Sequence, residues 1–360
     1  MTRVSALKQI GLALLAATLG LGCSCEPFPD LVSGNGIDAG VDAGAGDAGL
    51  PLVCAPGFAD CDADGLSCET PLTGNDAHCG RCGRTCFGGG CINDVCGTVL
   101  LAFDDAGAGG IGIAEAVPVW TTLRGDVRRP GNPEGTVVVT TSAEPLSLAT
   151  RGRAVAWSTL SGAVEYLPEL SGTVRQLASG RNITWGSVAL DDDFIYWPVV
   201  DAGLIERAPR GGGAVSIYAR IPGAHSVTAG PPVLFDGPTG VFTLRSDGGL
   251  NPVSTAVVEP THLAVGGGFV FVCETRSNRV SRIELATGTR DTADAQVNAH
   301  GMAADQDGAF WATELDLMHW PLDGGAPRSF RAQRGVHRIT LTPQAVYWSE
   351  FEGAVRMQTR

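Results

Sequence analysis

Four of the six histidines in this chain recur at a nearly constant interval. Successive members are 37, 38 and 37 residues apart, and they are His225, His262, His300 and His337. A glutamate follows three of them after 12 to 14 residues, and these are Glu274, Glu314 and Glu350. Neutral imidazoles together with carboxylates suit a divalent cation, and a histidine beside an acid is a common pair for general acid–base catalysis. Either chemistry requires elements that bring these side chains together.

A repeat of the same length runs through the chain after residue 97. Strand-like segments such as AVAWST, FIYWPV and AVYWSE each carry one large apolar anchor, and successive anchors are 37 to 40 residues apart. The anchors are Trp120, Trp157, Trp197, Phe235, Val272, Trp311 and Trp348. Each period holds four short strand-like segments between Gly- and Asp-rich turns, which is the pattern of one blade of a β-propeller.

The two ends of the repeat region predict how the ring closes. The segment GAVRMQTR reads as the third strand of a last blade, while GTVLLAF, directly after the cysteines, has no blade of its own. Pairing them would complete the last blade and remove its open edge. We therefore predict an all-β, seven-bladed β-propeller with four-stranded blades, its last blade closed by the N-terminal strand, preceded by a small disulfide-rich module. A six-bladed ring with residues 111–141 outside it is the alternative.

Each of the four histidines precedes the first, innermost strand of its blade. Innermost strands line the central channel, so the imidazoles should form an arc at one of its mouths. Simple hairpin geometry would pair His300 with Thr313 and His337 with Ser349, which brings the glutamates to the same rim. The predicted ligand or metal rim consists of His225, His262, His300, His337, Glu274, Glu314 and Glu350.

Three interpretations of this rim stay open. Repeat units copy residues without needing their chemistry, so each imidazole could simply bond to the backbone around it. The rim could instead hold a divalent cation or an anionic ligand. The third interpretation is catalysis with a histidine as general base. The odd thiol, Cys273, lies in the apolar run FVFVCE and is interpreted as a small buried hydrophobic residue.

The repeats resemble two groups of propellers. IYWPVVDAGLIERAP and VYWSEFEGAVRM resemble the YWTD/NHL group, and HGMAADQDGAFWATE resembles the streptogramin lyases. The second resemblance implies a magnesium-dependent elimination at the propeller face, with His300 as general base and Glu314 as a metal ligand. Binders, scaffolds and enzymes share such repeats, so the fold alone implies little about function.

The N-terminal residues read as an export signal and a tether. Arg3 and Lys8 precede an apolar core of signal-peptide length, which ends in LGLGCSC. This end resembles a bacterial lipoprotein signal, which implies that Cys23 becomes lipidated. The expected organisation is a signal peptide (1–22), a lipidated flexible tether (23–52), a disulfide-rich module (53–96) and the propeller (97–360).

The module contains eight cysteines within 43 residues. In an exported chain they predict four disulfides, with the pairing left open, although CGRC at Cys79 and Cys82 also has zinc-like spacing. The cysteines are Cys54, Cys61, Cys68, Cys79, Cys82, Cys86, Cys91 and Cys96. The segment resembles a Cys-rich module of secreted and surface proteins of myxobacteria and their relatives.

A short acidic turn in the module resembles the opening of a calcium loop. Asp60, Asp62 and Asp64 alternate before a glycine, and Glu69 could replace the glutamate that closes an EF-hand loop. Pro71 occupies the position of that glutamate, so a solvated acidic turn is the favoured interpretation.

A net charge of −13 excludes nucleic acid as a partner, because no basic stripe interrupts it. Together with the signal-like N-terminus, the cysteines and the repeats, this predicts an exported lipoprotein of the cell envelope, anchored to the outer membrane or cell surface. Its propeller is expected to be a scaffold for a protein or carbohydrate ligand. The alternative is a metal-dependent lyase or hydrolase of streptogramin-lyase type.

Overall fold

The computed structural model describes residues 52–141, 143–183, 187–294 and 298–360. The predicted signal peptide, Cys23 and almost all of the predicted tether lie outside the described residues. Within those ranges, no helix is long and apolar enough to cross a membrane.

The cysteine-rich segment folds as two small hairpins joined by disulfides. Its strands are β1 (Phe58–Ala59), β2 (Thr70–Pro71), β3 (Cys91–Ile92) and β4 (Val95–Cys96), with β1 pairing β2 and β3 pairing β4. The disulfides join Cys54 to Cys68, Cys61 to Cys82, Cys79 to Cys91 and Cys86 to Cys96. The prediction of four disulfides is confirmed. Cys79 and Cys82 belong to different bridges, which excludes the zinc alternative for that pair.

The rest of the described chain forms seven four-stranded antiparallel sheets. Strand β5 (Val99–Phe103) comes first. Blades 1 to 3 are β6 (Ala108–Ala114), β7 (Val117–Thr122), β8 (Asp126–Arg129), β9 (Thr136–Thr140); β10 (Pro145–Arg151), β11 (Ala154–Thr159), β12 (Val164–Leu167), β13 (Arg175–Ala178); β14 (Ala189–Leu190), β15 (Phe194–Val199), β16 (Leu204–Pro209) and β17 (Ser216–Arg220).

Blades 4 to 7 continue the same order. They are β18 (Val227–Thr228), β19 (Leu234–Gly237), β20 (Gly240–Leu244), β21 (Leu250–Ser254); β22 (Pro260–Gly266), β23 (Phe269–Glu274), β24 (Arg279–Glu284), β25 (Arg290–Asp294); β26 (His300–Asp305), β27 (Gly308–Ala312), β28 (Asp316–Pro321), β29 (Arg328–Ala332); β30 (Val336–Leu341), β31 (Ala345–Glu350) and β32 (Ala354–Thr359). A single 3₁₀ turn, Thr275–Ser277, joins β23 to β24 in the described chain.

The last blade has the strand order β30-β31-β32-β5. Strand β5 pairs antiparallel with β32, so that Phe103 lies opposite Ala354 and Val99 opposite Met357. The N-terminal strand thus closes the ring, and the prediction of a seven-bladed propeller is confirmed over the six-bladed alternative.

The anchors of the repeat form the core between blades. All seven predicted anchors are fully buried. Three indole N–H groups donate to a glutamate: Trp157 to Glu165 (2.7 Å), Trp197 to Glu206 (3.0 Å) and Trp348 to Glu350 (3.0 Å). A buried indole therefore keeps its hydrogen bond while its ring fills the space between sheets.

The antiparallel order gives the ring two distinct faces. First strands begin and second strands end on one face, here called the histidine face. The turns between first and second strands lie on the opposite face, here called the module face, because the cysteine-rich module packs there against the end of β32. Thr359 Oγ1 donates to the Thr85 carbonyl (2.8 Å), and Gln358 Nε2 donates to the Cys96 carbonyl (2.9 Å).

Candidate functional site

Three of the four repeated histidines line one cavity at the mouth of the channel. This cavity, on the histidine face, has a volume of about 360 Å³. Its lining consists of His225, Thr261, His262, Thr275, Asn298, Ala299 and His300. His337 lies beside it and is buried.

Both ring nitrogens of His300 face main-chain oxygens. Nδ1 lies 2.6 Å from the Asn298 carbonyl, and Nε2 lies 2.8 Å from the Val336 carbonyl of the next blade. A general base needs a free lone pair directed at the substrate. In this arrangement His300 joins two blades and offers no such lone pair to the cavity.

The strand register at His300 differs from the expected one. His300 pairs with Ala312 and not with Thr313, and the register shifts before Ala303. Gly301 lies in this irregular stretch with φ of 54°, and a Cβ there would come within 2.5 Å of the His337 carbonyl. The first strands of blades 6 and 7 therefore approach closely, and a bulge accommodates the approach.

His337 is held beneath an aromatic ring. Its ring stacks on Phe351 with 4.2 Å between centroids, and Nδ1 lies 3.2 Å from the Ala108 carbonyl of blade 1. The expected pairing with Ser349 is wrong, because a bulge at His337 places Arg338 opposite Ser349. Burial, reinforced by the positive charge of Arg338, lowers the pKa of His337 to about 3.

His262 is also held neutral. Its Nδ1 lies 3.3 Å from Thr261 Oγ1. The surrounding protein removes water from the ring, and this burial together with the charge of Arg338 lowers its pKa to about 3. His225 is exposed, and its main-chain N–H donates to the buried Asp236 carboxylate (2.7 Å).

Arg338 is a channel residue that the sequence analysis missed. Its Nη1 donates to the His337 carbonyl (3.1 Å), and burial lowers the pKa of its guanidinium to about 10. Beside this cation, a bound divalent metal ion would meet repulsion. Its position in the first strand, directly after a repeated histidine, could have indicated that it faces the channel.

The three predicted glutamates do not share one environment. Glu274 is buried and accepts hydrogen bonds from the Val258 N–H (3.1 Å), Ser281 and Arg290. Both of the last two partners lie on the outer strands of blade 5. This carboxylate therefore points into its own blade, away from the imidazoles.

Glu350 is likewise buried inside a blade. It accepts from Trp348 Nε1 (3.0 Å), Arg356 Nε (2.8 Å) and Gln333 Nε2 (3.0 Å). Glu314 alone is exposed near the imidazoles, where it accepts from Asn298 Nδ2 (2.6 Å).

The rim therefore brings imidazoles together but not a ligand set for a metal ion. Three His, Cys, Asp or Glu ligand atoms lie within 4.8 Å of one another at three places in the described chain, and none of these places includes a rim residue. The cavity is instead lined by the neutral ring of His262, by the His300 ring that is bonded at both nitrogens, and by two threonine hydroxyls. Metal binding at this rim stays a prediction that the geometry does not favour.

Five exposed apolar side chains lie in connections of the histidine face, and we call them the apolar rim. They lie in turns of the histidine face and are between 39% and 56% exposed: Leu123, Leu160, Val258, Leu315 and Phe351. Sequence reasoning missed them, although Leu123, Leu160 and Phe351 each stand three residues after an anchor. Leu123 and Phe351 are neighbours, because a Cβ at Gly107 would meet both residues. Exposed apolar side chains grouped on one face are typical of protein-binding sites.

The predicted calcium loop is an exposed turn in which the acids cap main-chain N–H groups. Asp60 accepts from Gly65 (2.9 Å) and Asp64 (3.3 Å), and Glu69 accepts from Cys61 (3.3 Å). The Gly65 hydrogen bond lowers the pKa of Asp60. Carboxylate oxygens of Asp60, Asp62 and Asp64 lie within 4.8 Å of one another, and Glu69 is outside that group. Calcium binding here stays a prediction.

The thiol of Cys273 is fully buried in blade 5. Burial raises the pKa of this thiol most, and the neighbouring charge of Glu274 raises it further. The thiol form is thus strongly favoured, as for a residue that only fills space.

The fold is shared by many proteins of unlike function. No protein-family model and no curated protein matches the chain, but 1109 solved chains match its structure. A streptogramin B lyase superposes with a TM-score of 0.60 at 15% identity, over 73% of this chain and 97% of the lyase. The virginiamycin B lyase of Staphylococcus aureus gives 0.61 at 12%, over 73% and 98%. The WD40 propeller domain of Doa1 gives 0.60 at 13%, over 73% and 97%. At such identities the similarity shows the propeller fold only.

Proposed function

We propose that this chain is an exported lipoprotein whose propeller binds a protein partner through the histidine face. The observation that carries the proposal is the apolar rim on the histidine face. Its five members lie in turns of blades 1, 2, 6 and 7 and before blade 5. Apolar groups buried at the core of an interface supply most of the driving force for association.

The chemistry of the channel mouth supports binding over catalysis. Both nitrogens of His300 are engaged, and His262 and His337 are neutral beside the cation of Arg338. A partner could insert an uncharged side chain into the cavity, where threonine hydroxyls and imidazoles line the wall. Metal-dependent lyase activity would need a free base and a carboxylate ligand set, so it stays the alternative.

Export and anchoring rest on the N-terminal residues and on the disulfides. Four disulfides in a segment of 43 residues suit an oxidising compartment. Lipidation of Cys23 would tether the propeller to a membrane, with the Gly/Ala/Asp-rich segment as spacer. Metabolic labelling with palmitate should mark the wild-type chain and not Cys23→Ser. Equal labelling of both would contradict the lipoprotein proposal.

Site-specific photo-crosslinking tests the binding face. A photoreactive amino acid at Leu315, which is 52% exposed on the histidine face, should give one discrete protein adduct in intact envelopes. The matched control is Ile217, which is 44% exposed on the outer strand of blade 3. Absence of an adduct at Leu315, or the same adduct from both positions, would overturn the proposal.

A further inference from the structure

A second cavity lies on the module face, opposite the histidines. It occupies about 470 Å³ between the module and blades 6 and 7. Four arginines line it, two from the module (Arg81 and Arg84) and two from the propeller (Arg328 and Arg360). We call it the arginine groove. Asp307 is the one acidic side chain in its lining, and Asp305 pairs with Arg360 beside it, so arginines outnumber acids here within a chain of net charge −13.

Three of these guanidinium groups, all but that of Arg360, have no ion pair with an acidic side chain among the described residues. Among the described residues, the ion pairs at the groove are those of Arg360 with Asp305 and Asp307. Arg81 donates to the main-chain oxygen of Arg360, the last residue of the given sequence (3.0 Å), and Arg84 donates to the carbonyls of Asp94 (3.3 Å) and Thr359 (3.2 Å). Burial and the like charge of Arg81 lower the pKa of Arg84. Positive charges held together at this cost favour a bound anion.

Several donors at the groove also lack partners. Nε of Arg84, and Nε and Nη1 of Arg360, are buried and have no hydrogen-bond partner among the described residues. The side chain of Arg360 is only 9% exposed. Native proteins rarely leave buried charged donors unpaired, since each costs the desolvation of that group. These three atoms are closed to solvent, so they show that charge is held at a cost here, whereas a ligand would reach the exposed guanidinium groups of Arg81 and Arg328.

The groove has one apolar wall. Phe310 stacks on His319 with 4.3 Å between ring centroids, and Phe330 packs edge-on against Phe310 at 5.2 Å. Nε2 of His319 is buried without a partner. Arg360 lies over the Phe310 ring at 5.8 Å. The wall packs against the guanidinium group of Arg360 and lowers the local dielectric on this side of the groove.

We propose that the arginine groove is a binding site for a phosphate-bearing anion. A phosphate carries more than one negative charge and offers tetrahedrally disposed oxygens that accept from arginines on both the module and the propeller. A single carboxylate is planar and accepts one guanidinium fork, so it satisfies fewer of the four. The bound anion would also tie the module to the ring. This site is independent of the partner proposed for the histidine face.

Calorimetric titration of the full chain tests the site, with pyrophosphate as probe and acetate as comparison at constant ionic strength. Pyrophosphate should bind at least tenfold more tightly than acetate. Arg328→Gln and Arg81→Gln should each weaken pyrophosphate by about tenfold, because both side chains are exposed and charge-assisted hydrogen bonds contribute on this scale. Both substitutions lie at the surface, so folding should be unaffected.

Arg220→Gln is the matched control. Arg220 is also exposed, on the outer strand of blade 3, and its replacement removes the same charge. Its affinity for pyrophosphate should equal that of the wild type. Absence of pyrophosphate binding would overturn the proposal. So would equal weakening by Arg220→Gln, or equal affinity for acetate, since either outcome would mean an adventitious ion only.

Discussion

The two faces of the ring treat charge in opposite ways. On the histidine face, Nε2 of His300 and Nδ1 of His337 meet carbonyl oxygens of neighbouring blades. On the module face, guanidinium groups from separate parts of the chain meet with few counter-charges and several unpaired donors. These two repeated histidines are bonded by neighbouring blades, which are always present. The arginine groove arises where the module, which is not a repeat, meets the ring, and there a ligand can supply what the fold does not.

The largest expected effect concerns the glutamates that were first grouped with the histidines. Glu350→Ala should lower the free energy of unfolding by about 3–5 kcal/mol, because three donors lose their acceptor: the buried Trp348 indole and the partly buried Arg356 and Gln333 side chains. Glu314→Ala should change it by less than about 0.5 kcal/mol, because Glu314 is exposed. Urea unfolding of both variants measures the difference. Equal effects would mean that Glu350 faces the rim after all.

A smaller loss should be confined to the module face. Replacing both cysteines of the Cys79–Cys91 bridge by serine opens a loop with a sequence separation of 12. It should destabilise the module by about 3 kcal/mol. Hydrogen exchange should speed up in the module and leave the first strand of blade 6 unchanged. Matching acceleration at His300 would show that the two faces are not separate.

The pH dependence of stability tests whether two imidazoles of the histidine face are buried and neutral. The pKa values of His262 and His337 are lowered to about 3 in the fold, so unfolding releases rings that take up protons near pH 6.5. Their contribution is present above pH 6.5 and falls as pH drops from there toward 3, by roughly 1.4 kcal/mol per pH unit for each ring. Imidazole NMR should show both rings neutral at pH 5. A titration of either near pH 6.5 would contradict their burial.

One buried acid works in the opposite direction. Burial raises the pKa of Asp236 to about 7, so its contribution is present at low pH and is lost as pH rises through 7. The slope from the histidines is therefore best measured in Asp236→Asn, where the amide oxygen can still accept from His225 and Ser226.

The blade count followed from the sequence because each blade repeats one large anchor that must be buried against its neighbours. The sequence also indicates the direction of the glutamate side chains. Glu350 stands two residues after Trp348, and Glu274 two after Val272, so each shares the face of its strand with a buried anchor. Glu314 stands three residues after Trp311 and is exposed, as alternation and the end of β27 require.

The strand register at the histidines could not be read from a single repeat. The bulges at His300 and His337 accommodate the approach of adjacent blades, which depends on how the ring closes. The arginine groove could not be predicted from the sequence either. Arg81 and Arg360 meet across 279 positions of sequence, and nothing in the local pattern of either residue indicates the other.

Thermal unfolding with added ligands tests the contrast between the two faces most directly. We expect that pyrophosphate raises the Tm of the full chain, that Arg328→Gln reduces the rise, and that magnesium or manganese produces no rise that depends on His300. The contradictory result is a rise with magnesium or manganese that His300→Ala removes, with no response to pyrophosphate. That outcome would place the ligand site among the imidazoles and favour the lyase alternative.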